Sequence, residues 1–131
     1  LFVREGKLLI VRRLPQGLLG GLWELPSAEY QPDEDPRQVL ARALRESLGL
    51  ELSIGAEAVS VQHAYTHFRV TVRVYRCAAQ GTPSPSGPWD DCHWLAPHER
   101  GNYGLTGIAT KALARLGWPA ASGRNGDAGG S

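Results

Sequence analysis

The sequence has little net charge, few cysteines and no long apolar run, and each shortage removes a class of function. Lys and Arg number 14 against 13 Asp and Glu, a formal net charge of +1. Any basic binding surface must therefore be local, because the overall charge favours neither nucleic acid nor membrane. No apolar run approaches the roughly 20 residues that span a bilayer. With 131 residues, 42% hydrophobic and 21% charged, the composition is that of one ordinary globular domain.

Cysteine is scarce enough to exclude a disulfide framework or a zinc-knuckle pair. Cys77 and Cys92 lie far apart in sequence, so we interpret them as two reduced intracellular thiols at strand ends, although a disulfide between them stays open. His93 is a weak metal candidate, because no second close pair of ligands accompanies it. No signal peptide is visible. The chain begins at Leu1 in strand-like sequence, and we expect it to be a piece of a longer protein.

The apolar patterns predict the order β-β-loop-α-β-β-loop-β-α. Strands are expected at residues 1–3, 7–12, 59–62, 67–77 and 92–95. Asp35 and Pro36 predict the start of a first helix, and Gly49 predicts its end. Thr106 and Gly117 bound a second helix in the same way. This order predicts an α/β fold, an α/β/α sandwich on a mixed β-sheet with two main helices, over residues 1–118. A disordered tail is expected at residues 119–131.

The strand at residues 67–77 alternates clearly. Its apolar side chains, which should face the core, are Phe68, Val70, Val72 and Val74. The opposite set predicts a basic outer face and comprises His67, Arg69, Thr71, Arg73 and Tyr75. The following segment, residues 78–91, contains three prolines and is expected to be a loop with Trp89 exposed.

Residues 28–50 follow the frame G-x5-E-x7-R-E-U-x-E-E-x-G-U, where U is aliphatic. The matching positions are Glu34, Arg42, Leu44, Glu46, Gly49 and Leu50. The frame is the Nudix box, so the chain resembles a Nudix-like domain. Nudix hydrolases use the carboxylates of this helix to hold a divalent metal against a diphosphate. Ala28 replaces the first glycine, and Ala43 and Ser47 replace two acidic residues. Mg²⁺ prefers several anionic oxygens, so we expect a Nudix-like scaffold with no metal site, in which Glu46 pairs weakly with Arg42.

Two further segments resemble one family in particular. Residues 17–26, GLLGGLWELP, closely resemble the first loop of the C-terminal domain of MutY-type adenine DNA glycosylases. Residues 63–71, HAYTHFRVT, resemble the segment of that domain with a Phe-Ser/Thr-His motif, and residues 103–109 are similar to its final loop and helix. The resemblance extends to about Gly117.

This resemblance implies a non-catalytic domain that helps in base excision repair. Such a domain contacts 8-oxoguanine opposite a mispaired adenine in double-stranded DNA. A separate N-terminal domain of the same protein cuts the glycosidic bond and carries an iron–sulfur cluster. Neither a cluster motif nor a catalytic hairpin pattern occurs in this sequence, so no cofactor and no catalytic residue is expected here. The resemblance also implies a cytoplasmic, nucleoid-associated bacterial protein without a membrane contact.

By the same resemblance Thr66 reads the lesion. Oxidation gives guanine a hydrogen on N7 and an oxygen on C8, and a hydroxyl can supply either hydrogen-bonding polarity. Tyr65 would pack beside the base and His67 would hold a phosphate or stabilise the loop. Arg69 and Arg73 would contact phosphates. The backbone N–H groups of residues 20 and 21 are a further phosphate candidate.

Two alternatives stay open. The chain is an active Nudix hydrolase of nucleoside di- or triphosphates, oxidised ones included, if Mg²⁺ is held by a rearranged set drawn from Glu24, Glu29, Glu34 and Glu46. It is an interaction domain for protein partners if the loop around Trp89 is exposed and used for binding.

Overall fold

The structure is a computed structural model that describes residues 1–17 and 19–119. Its strands are β1 (Val3–Arg4), β2 (Lys7–Arg13), β3 (Trp23–Glu24), β4 (Ser53–Ala64), β5 (Arg69–Ala78) and β6 (Trp89–Leu95). Its α-helices are α1 (Pro36–Leu48) and α2 (Gly107–Leu116), and a 3₁₀ helix (Pro97–Asn102) precedes α2. Neither α-helix is long and apolar enough to cross a membrane, within the residues that the structure describes. The predicted tail, apart from residue 119, lies outside the described residues.

Both α-helices begin and end where the sequence predicts. The Asp35 carboxylate accepts a hydrogen bond from the backbone N–H of Arg37 at 3.0 Å, which satisfies one of the free donors of the first turn. Gly49 ends α1 in the left-handed conformation, with a φ of 70°. The Thr106 hydroxyl caps α2 and Gly117 ends it with the same φ. Such caps are local, so four residues of sequence are enough to predict them.

The sheet is built around β2. The strands β1 and β3 pair with its two halves along one edge, and β6 pairs along the other. A second antiparallel pair, β4 and β5, forms a long hairpin. A parallel bridge between Phe2 and Cys77 joins the two units, so the arrangement is mixed, as expected.

The core lies on both faces of β2, because successive side chains of a strand point to opposite sides. Leu9 and Val11 pack with Leu44 and Leu48 of α1 on one side. On the other side, Leu8 and Ile10 pack with Leu113 of α2. Helices on both faces of a sheet make an α/β/α sandwich, and the predicted fold class is confirmed.

The alternation predicted for β5 is wrong at both ends. Phe68 precedes the strand and is 57% exposed, whereas Tyr75, predicted to lie on the outer face, is 3% exposed. The first turn of α1 covers Tyr75, since the Arg37 guanidinium lies 4.8 Å from the centre of its ring. The register against β4 shifts on either side of Glu57, and such a bulge re-aims the neighbouring side chains. The outer face is therefore covered by α1 near Tyr75 and open only toward the hairpin loop.

The loop after β5 is shorter than predicted. Trp89 is the first residue of β6 and is 3% exposed, so the prediction of an exposed tryptophan is wrong. The Trp89 Nε1–H donates to a carboxylate oxygen of Glu24 at 2.8 Å. Since Trp89 packs in the core beneath α1, it offers no surface to a protein partner.

Candidate functional site

The residues of the degenerate Nudix box line a shallow cavity of about 340 Å³ between α1 and the loop that precedes β6. Its walls are Ser27, Ala28, Ala43, Glu46, Ser47, Ser86, Gly87, Pro88 and Trp89. All three departures from the box therefore face the same space. Glu46 is the only acidic residue among these walls.

The loop before β6 closes the C-terminal end of α1. The backbone N–H of Ser84 donates to the carbonyl oxygen of Leu48 at 2.8 Å, and that of Ser86 donates to the carbonyl of Ser47 at 2.8 Å. The Ser47 hydroxyl donates back to the Ala43 carbonyl at 2.8 Å. Carbonyls at a helix end lack partners within the helix, so these bonds stabilise α1. Ser47 is 8% exposed and fully used in this role.

Of the other carboxylates named for a rearranged metal site, those of Glu24 and Glu34 are already bound, whereas Glu29 is exposed. Glu24 is 15% exposed and accepts hydrogen bonds from Trp89 and from Arg13 at 3.2 Å. Glu34 accepts from the backbone N–H of Gln31 at 2.7 Å and lies 4.0 Å from the Arg42 guanidinium. The predicted pair of Arg42 with Glu46 is therefore wrong, because Arg42 pairs with Glu34.

These contacts decide how well the cavity fits Mg²⁺. Within residues 1–17 and 19–119, no three His, Cys, Asp or Glu side chains are grouped closely enough to hold a metal ion. Mg²⁺ bound by proteins takes carboxylate oxygens in near-octahedral geometry, and one exposed carboxylate does not supply them. The donor set does not fit the metal that a Nudix hydrolase uses.

The predicted lesion-reading residues lie together in the loop that joins β4 to β5. The backbone N–H of Tyr65 donates to the carbonyl oxygen of Phe68 at 2.7 Å and closes the turn. Thr66 and His67, the two residues between them, are exposed. These residues form the tip of a hairpin and not the start of a strand. A reader at such a tip is free to meet a base edge.

The two arginines predicted to bind phosphate differ in their surroundings. Arg73 donates to the Glu57 carboxylate, with 2.7 Å between Nη2 and Oε1. Hydrogen bonds with Tyr30 and Glu57 raise the pKa of Arg73. Arg69 is exposed and makes no ion pair with any of the described residues. Arg69 is therefore open to a ligand, whereas Arg73 is occupied within the protein.

Trp23 and Leu25, near the end of the glycine-rich loop, pack against the core cluster of Leu8, Ile10 and Leu113. A side chain at Gly20 would place its Cβ 2.2 Å from the Pro15 carbonyl oxygen, so only glycine fits there. The N–H of Gly20 donates to the Gly17 carbonyl at 3.3 Å and that of Gly21 to the Arg13 carbonyl at 3.1 Å. Both donors are used internally, and the prediction that they bind phosphate is wrong.

The thiols and His93 form no shared site. Cys77 and Cys92 are both free, as expected, and burial raises the pKa of each. The His93 ring lies 3.2 Å from a carboxylate oxygen of Glu99. The same oxygen accepts the backbone N–H of Ala96 at 2.9 Å, which, with His93, lowers the pKa of Glu99. This cluster fixes the start of the 3₁₀ helix.

Sequence reasoning missed two groups beside the hairpin tip. The Phe68 ring stacks on Tyr65, with 4.8 Å between ring centres and 26° between planes. The Lys111 ammonium of α2 lies 2.9 Å from Nδ1 of His63, and the His63 ring meets Tyr65 edge-on at 4.7 Å. The alternation of β5 placed Phe68 in the core, and no local signal relates Lys111 to a hairpin about 45 residues earlier.

Comparison with known proteins gives the family and two different relatives. A family model described as the NUDIX domain matches residues 1–115. The chain is 34% identical over 107 residues to the CTP pyrophosphohydrolase of Escherichia coli (strain K12), covering 78% of this chain and 76% of that protein. It is also 34% identical over 96 residues to the adenine DNA glycosylase of Homo sapiens, covering 71% of this chain but 17% of that protein.

The solved structures agree on the fold. The solution structure of the E. coli ORF135 protein superposes with a TM-score of 0.70 at 31% sequence identity, and the match covers 91% of this chain and 89% of that one. The similarity thus extends to a hydrolase and to a part of a glycosylase at equal identity, and the site itself must distinguish the two functions.

Proposed function

We propose that this chain, which belongs to the Nudix domain family, is a non-catalytic module that recognises 8-oxoguanine opposite adenine in duplex DNA. It would do so as part of an adenine DNA glycosylase whose N-terminal domain, with its iron–sulfur cluster, cuts the glycosidic bond. The observation that carries the proposal is the cavity of the Nudix box, whose walls offer one carboxylate, that of Glu46.

The hairpin tip supplies what a lesion reader needs. The Thr66 hydroxyl is exposed between two ends of a closed turn, so a base edge can approach it without rearranging the backbone. In 8-oxoguanine N7 carries a hydrogen, and the hydroxyl oxygen accepts it. One such hydrogen bond contributes about 1–3 kcal/mol of discrimination. His67 and Arg69 stand beside it as phosphate ligands, and these contacts orient the duplex without reading its sequence.

The identity to the human glycosylase supports the same function, since this chain aligns with 17% of that protein, as a recognition domain within a larger enzyme would. The local resemblances at residues 17–26 and 63–71 support it independently, because they lie outside the Nudix box. The three substitutions in the box are then the loss of a hydrolytic site that the glycosylase does not use.

Binding to two duplexes tests the proposal. One carries 8-oxoguanine opposite adenine and the other guanine opposite adenine, both at low salt, because phosphate contacts weaken as salt rises. We expect the first duplex to bind about 5- to 150-fold more tightly, as one base-edge hydrogen bond allows. Thr66→Ala should remove the preference and Thr66→Ser should keep it. Thr71→Ala is the matched control, since Thr71 is an exposed threonine of β5. Equal affinity for both duplexes, unchanged in Thr66→Ala, would remove Thr66 as the reader.

A second candidate function is hydrolysis of nucleoside triphosphates with Mg²⁺. The alignment with the E. coli CTP pyrophosphohydrolase favours it, because that alignment covers 76% of the relative. The test is release of pyrophosphate from CTP and from 8-oxo-dGTP with Mg²⁺, comparing the wild type with Glu46→Gln. We expect no turnover above the buffer rate. Turnover that Glu46→Gln abolishes would establish the hydrolase and overturn the first proposal.

A further inference from the structure

The Phe68 ring is the most exposed of the large apolar side chains in the described residues, at 57%. One exposed aromatic ring is common on protein surfaces and needs no function. Here, however, one face of Phe68 stacks on Tyr65, and the turn that holds both rings is closed by the hydrogen bond between their backbones. The ring is therefore held in place while its other face is open to solvent.

The charged residues of the chain segment around this ring, and those of α2, are all basic. No Asp or Glu occurs from residue 58 to residue 89, and none occurs in α2. Arg69 follows Phe68 directly, and Lys111 reaches the hairpin through its contact with His63. His63 in turn touches Tyr65, so the stacked rings and Lys111 form one continuous surface, with Arg69 next to Phe68 in the chain. An exposed apolar ring whose own segment and neighbouring helix carry only basic charges fits a ligand that combines flat rings with phosphates.

We propose that the open face of Phe68 stacks on a nucleobase that has separated from its neighbour, while Arg69 and Lys111 bind the phosphates on either side. The inference rests on the proposed function and deepens it, because it assigns the affinity for DNA to a residue other than the one that reads the lesion. Stacking of a base on an aromatic side chain is tolerant of sequence and is lost when the ring is removed.

The first experiment separates stacking from apolar contact. Affinity for the two duplexes is measured at low salt with wild type, Phe68→Leu, Phe68→Trp and, as an exposed apolar control remote in sequence, Val3→Ala. Phe68→Leu should weaken binding to both duplexes about 5- to 150-fold, as loss of one stacked base predicts. Phe68→Trp should bind both duplexes with an affinity close to that of the wild type, and so should Val3→Ala. Equal affinity of wild type and Phe68→Leu would overturn the inference.

The second experiment tests the cations. Lys111→Ala should flatten the dependence of log affinity on log salt by about 0.9, the slope for one phosphate on duplex DNA. Arg45→Ala is the control, since Arg45 is an exposed cation of α1, on the opposite face of the sheet. A 2-aminopurine placed next to the lesion should change fluorescence on binding to wild type and not to Phe68→Leu. Unchanged salt slopes would remove Lys111 from the surface.

The outcomes distinguish the inference from the function on which it rests. Loss of affinity in Phe68→Leu without any preference for 8-oxoguanine would leave the stacking surface and reject lesion recognition. A preference for 8-oxoguanine that depends on Thr66, with an affinity that does not depend on Phe68, would support lesion recognition and reject the stacking surface. Self-association that Phe68→Leu abolishes, with DNA binding unchanged, would assign the ring to a protein contact and overturn the inference. Amide NMR signals of residues 63–69 that do not shift at saturating DNA would overturn both.

Discussion

Replacing Trp89 with Phe tests the hydrogen bond that joins β6 to β3 beneath α1. The indole donates to Glu24 at 2.8 Å and Trp89 is 3% exposed, so water does not replace the lost partner. A hydrogen bond to a charged group contributes about 1.5–3 kcal/mol, and the smaller ring forfeits roughly 1 kcal/mol of packing. We expect Trp89→Phe to lower the free energy of unfolding by about 2.5–4 kcal/mol. The melting temperature should fall by about 4 °C for each kcal/mol.

Urea denaturation followed by far-UV circular dichroism measures this loss, because tryptophan fluorescence would itself change with the substitution. Trp94→Phe is the matched control. Trp94 packs partly buried against the same core cluster, and its indole N–H has no hydrogen bond within the described residues. The Arg4 guanidinium lies 4.7 Å from the centre of the Trp94 ring, and phenylalanine keeps that contact. We expect Trp94→Phe to cost about 1 kcal/mol.

Equal loss of stability in the two variants would mean that ring size, and not the hydrogen bond, sets the cost. A double-mutant cycle with Glu24→Ala gives an independent measure. The coupling between Trp89→Phe and Glu24→Ala should be about 1.5–3 kcal/mol. A coupling near zero would mean that the carboxylate and the indole do not stabilise each other.

The shifted pKa values of one carboxylate and of the two thiols are also open to test. The pKa of Glu99 is lowered from 4.5 by the Ala96 N–H and by His93, so the stability that this carboxylate supplies is present at neutral pH and is lost as the pH falls through the lowered pKa. Thermal unfolding should show Glu99→Gln less stable than wild type at neutral pH, with the difference closing below about pH 4.5. A constant difference at all pH values would contradict this. Burial raises the pKa of Cys77 and of Cys92, so both thiols should react with Ellman's reagent more slowly in the folded chain than in urea. Equal rates in the two states would contradict it.

The parts of the fold that sequence predicts are those set by a few neighbouring residues. Asp35 with Pro36 starts α1 and Gly49 ends it, because caps act over one turn. The side chain of Tyr75 escapes prediction since its burial depends on Arg37, about 40 residues earlier, and on a bulge in the partner strand. Alternation assigns a residue to one face of a strand but does not say what covers that face. The burial of Trp89 escapes prediction for the same reason, because the proline-rich sequence before it predicts a loop.

In the candidate site, too, some features are visible in the sequence and others only in the structure. The departures at residues 28, 43 and 47 are visible in sequence because the Nudix box is a fixed frame, and the structure adds that they line one cavity. The exposure of Phe68 and the approach of Lys111 to His63 depend on how the hairpin packs on α2. No pattern in the sequence predicts the contact between Lys111 and His63, so only the structure shows that these residues lie together.

The box retains what folds the helix and lacks what a metal requires. Leu44 and Leu50 are 1% and 2% exposed, and Gly49 has the left-handed φ that ends α1, so these matches serve packing. Of the three replaced positions, Ser47 is the one most closely bound to its surroundings. Its carbonyl accepts the N–H of Ser86 and its hydroxyl donates within α1. A glutamate there would bring a charge into a position that is 8% exposed, which costs several kcal/mol without a partner. It would also press on the loop that caps the helix. A carboxylate at position 47 would therefore require the loop before β6 to move, because that loop donates to the Ser47 carbonyl.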